Sequence, residues 1–441
     1  MKSRPDLPPG PYLVVGLARS GMAAALALRA RGEEVLGVDD GTPTGLEELS
    51  RAGVELHVGE PGVALPERVR TVVKSPGVPT DAPVIVQARS RGMCVLGELE
   101  LAWRMLPNEF IAVTGTNGKT TTVELIGHIH RRAGLPAVVA GNVGVALSGF
   151  IGQVDEHATI VCEVSSFQLE DALEFAPQAA VLLNVAPDHL DRHGTLEAYL
   201  AAKLEIFARQ SREDVAVVPV DFQPEGLPGA ARRVNFGEGP HAQLSAQSGS
   251  LLWRGAPLLP TSELSLRGRH NMENAMAAAA ACLARGLDPA SVRAALRDFA
   301  GVPHRLEELA SSEGVLFVND SKATNVASTL VALDAFAPGS IHLILGGQGK
   351  GQDFSALREA VATRCRAVYL IGEDAPRIAD ALSGVDVAVF ACGGLERAIG
   401  EARDFAQAGE VVLLSPACAS FDQFADFEDR GERFREWVSR L

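Results

Sequence analysis

Apolar residues fall into short unbroken runs, each followed by a polar or glycine-rich break and then by a stretch with apolar positions at helical spacing. Such runs read as strands buried on both faces, and the stretches between them as helices that cross back over a sheet. The pattern predicts strands over 12–15, 34–38 and 69–73, an Ala/Leu-rich helix ending at Gly32, and a helix over 97–106. A second series of strands covers 111–113, 136–140, 159–164 and 179–185, with helices over 198–207 and 276–285. A third covers 314–318, 341–345, 367–371, 385–390 and 411–414. Two stretches break the rhythm. Residues 221–259, rich in Pro, Gly and Ser, read as short strands without candidate chemistry, and 298–303, punctuated by Gly301 and Pro303, as a linker. Strands alternating with helices imply an α/β fold with mostly parallel sheets.

The length of 441 residues agrees with more than one domain, and the hydrophobic fraction of 47% fills their cores. A formal charge of -15 argues against a nucleic-acid partner. The six cysteines form no C-x-x-C pair and mostly sit in apolar runs, as thiols do in a reducing compartment. The first apolar stretch is cut by Arg19, Arg29 and Arg31, so it is neither a signal peptide nor a membrane helix. A cytoplasmic protein with no membrane partner is expected.

The chemistry gathers where strands end. The run 111–113 leads into Thr114-Gly115-Thr116-Asn117-Gly118-Lys119-Thr120-Thr121. A Gly turn opening a helix aims backbone N–H groups and the positive helix end at an anion. Lys119 can reach terminal phosphates and Thr120 can place its hydroxyl on Mg²⁺. Only two residues separate Gly115 and Gly118, fewer than the usual pattern has; a plain Gly turn with a solvated Lys is the bland alternative. Glu163 closes an apolar strand, where a buried carboxylate needs a cation. Mg²⁺ or a structural salt bridge would serve. Asp188 and His189 end the next strand. Lys203, taken alone, reads as a snorkelling surface residue. Asn271 and Asn274 share a face at a helix start, fit for a base or for plain capping.

In the first block, Gly16 to Gly21 and the acidic strand end Asp39-Asp40 resemble a dinucleotide-binding unit without G-x-G-x-x-G. That glycine pattern makes a weak NAD site; a nucleoside diphosphate could use the same helix end, with Asp39 or Asp40 on a ribose or base edge, or the unit could be a support domain with no ligand. Ser75, in Lys74-Ser75-Pro76-Gly77, could hold a phosphate or sugar, or the segment could be a bare turn. In the last block, Lys322 in Asn319-Asp320-Ser321-Lys322-Ala323-Thr324-Asn325 suits an anionic substrate or solvent.

Together these motifs resemble the Mur ligase family of ATP-dependent amino-acid ligases over nearly the whole chain. The resemblance rests on the P-loop form above, on Glu163, His189, Arg269-His270-Asn271-x-x-Asn274 and His304-Arg305 in order, and on the third-block motifs ending in Ser420-Phe421-Asp422-Gln423-Phe424. It implies three domains: a Rossmann-like UDP-substrate domain (1–97), a central P-loop ATPase-type domain (98–302) and a Rossmann-like amino-acid domain (303–441). ATP is expected between the second and third, with closure around the ligands. The third-block motifs imply addition of D-glutamate to UDP-N-acetylmuramoyl-L-alanine through an acyl phosphate, a step of peptidoglycan precursor synthesis.

By the same resemblance, Gly115, Thr116, Asn117, Gly118, Lys119, Thr120, Thr121, Asn271, Asn274, Arg305 and Asp320 hold ATP. Thr120 and Glu163 hold one Mg²⁺, and His189 with Lys203 as its carbamate hold a second. Ala18, Asp39, Ser75, Gly77, Asn142 and His189 contact the UDP substrate; Lys322, Thr324, Ser420 and Phe421 line the D-glutamate pocket. Lys119, Glu163, His189, Lys203 and Lys322 form the catalytic set of an expected monomer. The chain departs from the family pattern at Gln348, where other members often carry an acid, though Lys350 is kept, and at Asp39-Asp40-Gly41-Thr42, which lacks an Arg used by some members. A folate-type glutamyl ligase is the alternative enzyme, and a nucleotide-binding regulator the alternative class.

Overall fold

The computed structural model describes residues 2–59, 65–142, 145–222, 226–239, 241–266, 268–349 and 351–441. Lys350, named above, lies outside them.

Three sheets follow one another along the chain. The first holds β1 (Tyr12–Val15), β2 (Val35–Asp39), β3 (Glu55–Val58), β4 (Thr71–Lys74) and β5 (Cys94–Gly97), all parallel, in the order β3-β2-β1-β4-β5. The chain runs outward from β1 to one edge and then returns to β4 on its other side. That reversal leaves a crevice beyond the carboxyl ends of β1 and β4, the usual ligand position in such sheets. Leu13, Val14, Val72 and Val73 are buried, which is why these strands read as continuous apolar runs.

The second sheet comprises β6 (Phe110–Thr114), β7 (Ala137–Gly141), β8 (Thr159–Glu163), β9 (Ala179–Leu182), β10 (Val215–Pro219), β11 (Arg232–Glu238), β12 (Leu244–Gln247), β13 (Ser250–Trp253) and β14 (Ala256–Pro260). Its order is β14-β13-β12-β11-β10-β9-β6-β8-β7. The stretch 221–259 is therefore more regular than its composition suggests. It extends the sheet by two further parallel strand pairings, β10–β11 and β11–β12, and an antiparallel β12–β13–β14 meander. The Ala-rich helix runs over Arg269–Ala284, starting earlier than predicted, so Asn271 and Asn274 lie inside its first turns. Ala275 to Cys282 are all buried, and such small side chains let a helix be enclosed all round.

The third sheet holds β15 (Glu307–Ser312), β16 (Val315–Asn319), β17 (Ile341–Gly346), β18 (Cys365–Ile371), β19 (Ala388–Gly393) and β20 (Val411–Leu414) in the order β15-β16-β20-β17-β18-β19. Among its described residues only β15 is antiparallel. The strand predicted over 385–390 forms slightly later, as β19. Residues 1–264 with 273–299 make one unit and 265–272 with 300–441 a second.

Candidate active site

The central strand β6 ends at Thr114, and the turn after it uses glycine where no other residue fits. Gly118 has φ +84°, starts the helix Lys119–Arg132 without a side-chain cap, and a Cβ there would overlap Oδ1 of Asn274. Asn274 thus lies against the turn, and Asn271 is buried three residues earlier on the same helix. The turn is braced from the β9 side. Asn117 N–H donates to Asn184 Oδ1 at 2.9 Å, Thr116 N–H to Asn184 O at 3.1 Å, and Ala186 N–H to Thr116 Oγ1 at 3.0 Å. Thr116 and Asn117, expected on nucleotide, here direct their amides to Asn184, a residue that its place in the sequence does not mark out.

Two lysines converge on one carbonyl. Lys119 Nζ donates to Gly115 O at 3.0 Å and Thr116 O at 2.9 Å, and Lys203 Nζ donates to Gly115 O at 2.8 Å. Lys203 is 1% exposed, so it is not the snorkelling surface residue its sequence position alone suggested. Burial, with the charge of Lys119 second, pulls its ammonium down to about 7, while Asp188 and Glu163 oppose that shift. Its Nζ lies 4.3 Å from the centroid of the Tyr199 ring. Tyr199 is four residues earlier on the helix Leu196–Leu204, an i,i+4 spacing that could have revealed the pair.

Glu163 ends β8 and is 3% exposed. Thr120 Oγ1 donates to its Oε2 at 2.7 Å and Asn142 Nδ2 to its Oε1 at 3.1 Å. The structure therefore joins three of the expected residues in one hydrogen-bonded junction beside the turn; Thr121 is buried on the same helix start. His189 has φ +52° and a half-exposed ring, with Nε2 3.5 Å from Asp188 Oδ2. Its ring meets the edge of Phe167 at 4.9 Å.

At the first sheet's crevice, Ser75 Oγ donates to Gly16 O at 2.7 Å. Asp39 accepts from Leu17 N–H at 2.6 Å and Gly41 N–H at 2.9 Å. A cavity of about 250 Å³ opens there, lined by Gly16, Asp39, Asp40, Gly77 and Pro83 among others. Ala18 is the exposed residue ahead of the helix Arg19–Ala30. Lys74, next to Ser75, points away from the crevice: it is fully buried with Nζ 2.7 Å from Asp171 Oδ2, at an angle poor for a hydrogen bond.

In the third sheet, β16 delivers Asn319 and Asp320. Asp320 accepts from Leu306 N–H at 3.2 Å and Ser415 Oγ–H at 2.8 Å. Burial raises its carboxyl to about 7 against the opposing pull of Ser415 and of the Arg305 charge. Lys322 N–H donates to His304 O at 3.1 Å, Lys322 Nζ stands 4.7 Å from the Phe427 ring, and Thr324 N–H donates to Lys322 O at 2.9 Å. Arg430, buried, donates to the carbonyls of Ser321 at 2.7 Å and Cys418 at 3.1 Å, tying the Lys322 loop to the Ser420 loop. Ser420 is buried and Phe421 exposed. Gln348 pairs with Ala419 through backbone hydrogen bonds in both directions, so this position is held by its main chain.

A nucleotide-type turn, a carboxylate–threonine junction beside it and a crevice with its own cavity on a separate Rossmann-like sheet define a nucleotide-dependent α/β enzyme of several domains. The chain belongs to the Mur ligase family: the Mur ligase MurD-like N-terminal domain matches residues 11–97, the Mur ligase middle domain 113–282 and the Mur ligase glutamate ligase domain 304–418. It is 43% identical to the UDP-N-acetylmuramoylalanine--D-glutamate ligase of Acidobacterium capsulatum, over 97% of this chain and 95% of the relative. It is 42% identical to the ligase of the same name from Pelotomaculum thermopropionicum, over 97% of each. Among solved structures, MurF from Acinetobacter baumannii superposes with a TM-score of 0.62 at 18% identity, covering 96% of this chain and 93% of that one. The MurF ligase of Thermotoga maritima in complex with ADP gives 0.61 at 18%, covering 93% and 96%. Among the described residues no helix is long and apolar enough to cross a membrane.

Proposed function

We propose that this chain ligates D-glutamate to UDP-N-acetylmuramoyl-L-alanine at the expense of ATP, through an acyl phosphate. The observation that carries the chemistry is the pair of lysines at the Gly115 carbonyl beside the Thr120–Glu163–Asn142 junction. The substrate choice is supported by the relatives of that name at about the same length. Phosphoryl transfer needs positioning and charge neutralisation more than covalent help from the protein. An alanyl carboxylate oxygen attacks the γ-phosphorus and ADP leaves. The D-glutamate nitrogen then attacks the acyl carbon, inorganic phosphate leaves, and the nitrogen gives up a proton as the amide forms.

In this reading Lys119 leaves its loop carbonyls for the γ-phosphate, Thr121 donates to phosphate, and Asn271, Asn274, Arg305 and Asp320 orient the nucleotide. Ala18, Asp39, Ser75 and Gly77 in the 1–97 domain and Asn142 beside Glu163 hold the UDP substrate. Lys322, Thr324, Ser420 and Phe421 receive D-glutamate, with Lys322 pairing a carboxylate. The donor set fits Mg²⁺, which takes few carboxylates and completes its shell with phosphate oxygens and water. Thr120 and Glu163 would hold one ion, and His189 with a carbamylated Lys203 a second; an ammonium cannot ligate, whereas its carbamate presents oxygens. Bound Mg²⁺ would neutralise charge on the transferring phosphoryl group. In this reading the working unit is a monomer, and its six free thiols suit the cytoplasm.

Phosphate release from ATP in the presence of UDP-N-acetylmuramoyl-L-alanine tests the reading. Release should require D-glutamate and yield a new amide by mass. Release with L-glutamate and a folate would replace it with the folate-type ligase, and no turnover with either pair would reject both.

A further inference from the structure

The single turn of helix Leu190–His193 begins just after His189 and ends in a second imidazole. His193 N–H donates to His189 O at 3.0 Å, which sets the two histidines one turn apart. Unlike His189, whose ring is half-exposed, His193 keeps only 3% of its side chain in solvent. Its Nε2 lies 3.0 Å from Ser166 Oγ and its Nδ1 3.3 Å from Glu170 Oε1. A carboxylate only accepts, so the neutral tautomer that suits both neighbours has its proton on Nδ1 and leaves Nε2 to accept from the serine.

Two aromatic rings flank this imidazole. Phe167 stacks on it at 5.4 Å and 12°, and Tyr199 leans on it at 5.1 Å and 51°. Those same rings support the two residues assigned above to the second metal ion: Phe167 meets His189 at 4.9 Å, and Tyr199 lies 4.3 Å from Lys203 Nζ. Tyr199 also reaches the nucleotide turn, its hydroxyl 3.4 Å from Thr116 Oγ1. Arg192 locks the far partner in place, its guanidinium 4.0 Å from the centroid of Phe167 and 3.2 Å from Glu170 Oε2. Changing a side chain that orients a metal-holding group typically costs about 10–100-fold in metal affinity or activity.

We propose that His193 is a positioning residue for the divalent-metal site, a hydrogen-bonded wedge between Phe167 and Tyr199 that fixes the rings on which His189 and Lys203 rest. The proposal depends on the reading of His189 and Lys203 as metal-holding residues. It does not require His193 to touch substrate, nucleotide or metal.

The test is direct Mn²⁺ binding, followed by electron paramagnetic resonance, to the full chain with a non-hydrolysable ATP analogue and the UDP substrate. His193→Phe keeps a ring in the wedge but removes both polar anchors. It should weaken the affected Mn²⁺ site about tenfold, in the range typical of residues one shell out from a metal. In turnover, kcat should fall while KM for D-glutamate stays constant, and excess Mn²⁺ should restore much of the loss. His193→Gln, which retains a hydrogen-bonding group, should lie between the two. Mn²⁺ affinity unchanged in His193→Phe but weakened in His189→Ala and Lys203→Ala would overturn the positioning role and leave the metal assignment standing. Affinity unchanged in all three would overturn the metal assignment and the proposal with it. If His193→Phe does not fold, Ser166→Ala keeps every ring and removes one anchor; a smaller weakening of the same Mn²⁺ site is then expected, and no shift rejects the wedge.

Discussion

Lys203 is held where its charge is least welcome. Its ammonium is buried and shares a carbonyl with Lys119, and these two causes bring it down to about 7 from an ordinary 10.5. Above that pH the amine is neutral and can add carbon dioxide; below it the proton blocks the reaction. A ¹³C carbamate resonance from labelled bicarbonate should therefore grow as pH rises from about 6 to about 8, and vanish in Lys203→Arg. A signal that persists in the variant would place the carbamate elsewhere. Asp320 is the opposite case, a carboxyl raised to about 7 by burial against an ordinary 3.8. Between those values the folded chain holds a proton that the unfolded chain has lost, so stability falls as pH rises through this window. Asp320→Asn can still accept from Leu306 N–H and reach Ser415 with its amide, and it has no proton to lose. Without ligands it should gain roughly 2–4 kcal/mol on the parent at pH 7 and little at pH 4. Denaturant unfolding at the two pH values measures both numbers, and equal differences at each would contradict the assignment.

Elements matter through the places where they meet without room. In the helix Arg19–Ala30, a Cβ on Gly21 would overlap the carbonyl of Gly16 and press on Ser75 Oγ. Gly21→Ala should cost about 1–3 kcal/mol as an overpacked site, and should raise KM for the UDP substrate while leaving KM for ATP alone, because only the first crevice is distorted. Steady-state kinetics with each substrate varied in turn separates the two. Strands, their parallel pairing and the strand-end position of the chemistry were legible in the sequence, because strands buried on both faces appear as unbroken apolar runs. Glu163 and the glycine turn could be read for the same reason: packing alone rarely places a charge or a glycine pair at the end of such a run. Short strands could be read in 221–259, but how those of 244–260 pair as an antiparallel edge meander could not, since partly exposed strands lose the apolar signal and keep only turn residues. Nor were long-range partners. Arg430 and Gly431 sit in an amphipathic helix, and nothing local tells that one is buried against three loop carbonyls or that the other makes room for the His304 ring.

Across the first unit as a whole, a few polar links tie the sheet of β1–β5 to the sheet that carries the nucleotide turn. Lys74, at the end of β4, pairs with Asp171 at 2.7 Å; Arg192 donates to Pro76 O at 3.1 Å; and Lys2 reaches Asp214 at 2.5 Å. Lys74 immediately precedes Ser75, so its ion pair stands next to the crevice wall. The pair is buried on both sides. Removing one partner from such a pair leaves an uncompensated charge, whereas replacing both with apolar residues avoids the desolvation cost altogether. Asp171→Asn should thus destabilise the unit by about 3–5 kcal/mol, and the double change Lys74→Met with Asp171→Leu should recover most of that. If the pair also sets geometry, the double variant will regain stability in urea unfolding without regaining its KM for the UDP substrate. Recovery of both together would mean that packing alone holds the crevice in place, and that the charges at this junction contribute only their burial.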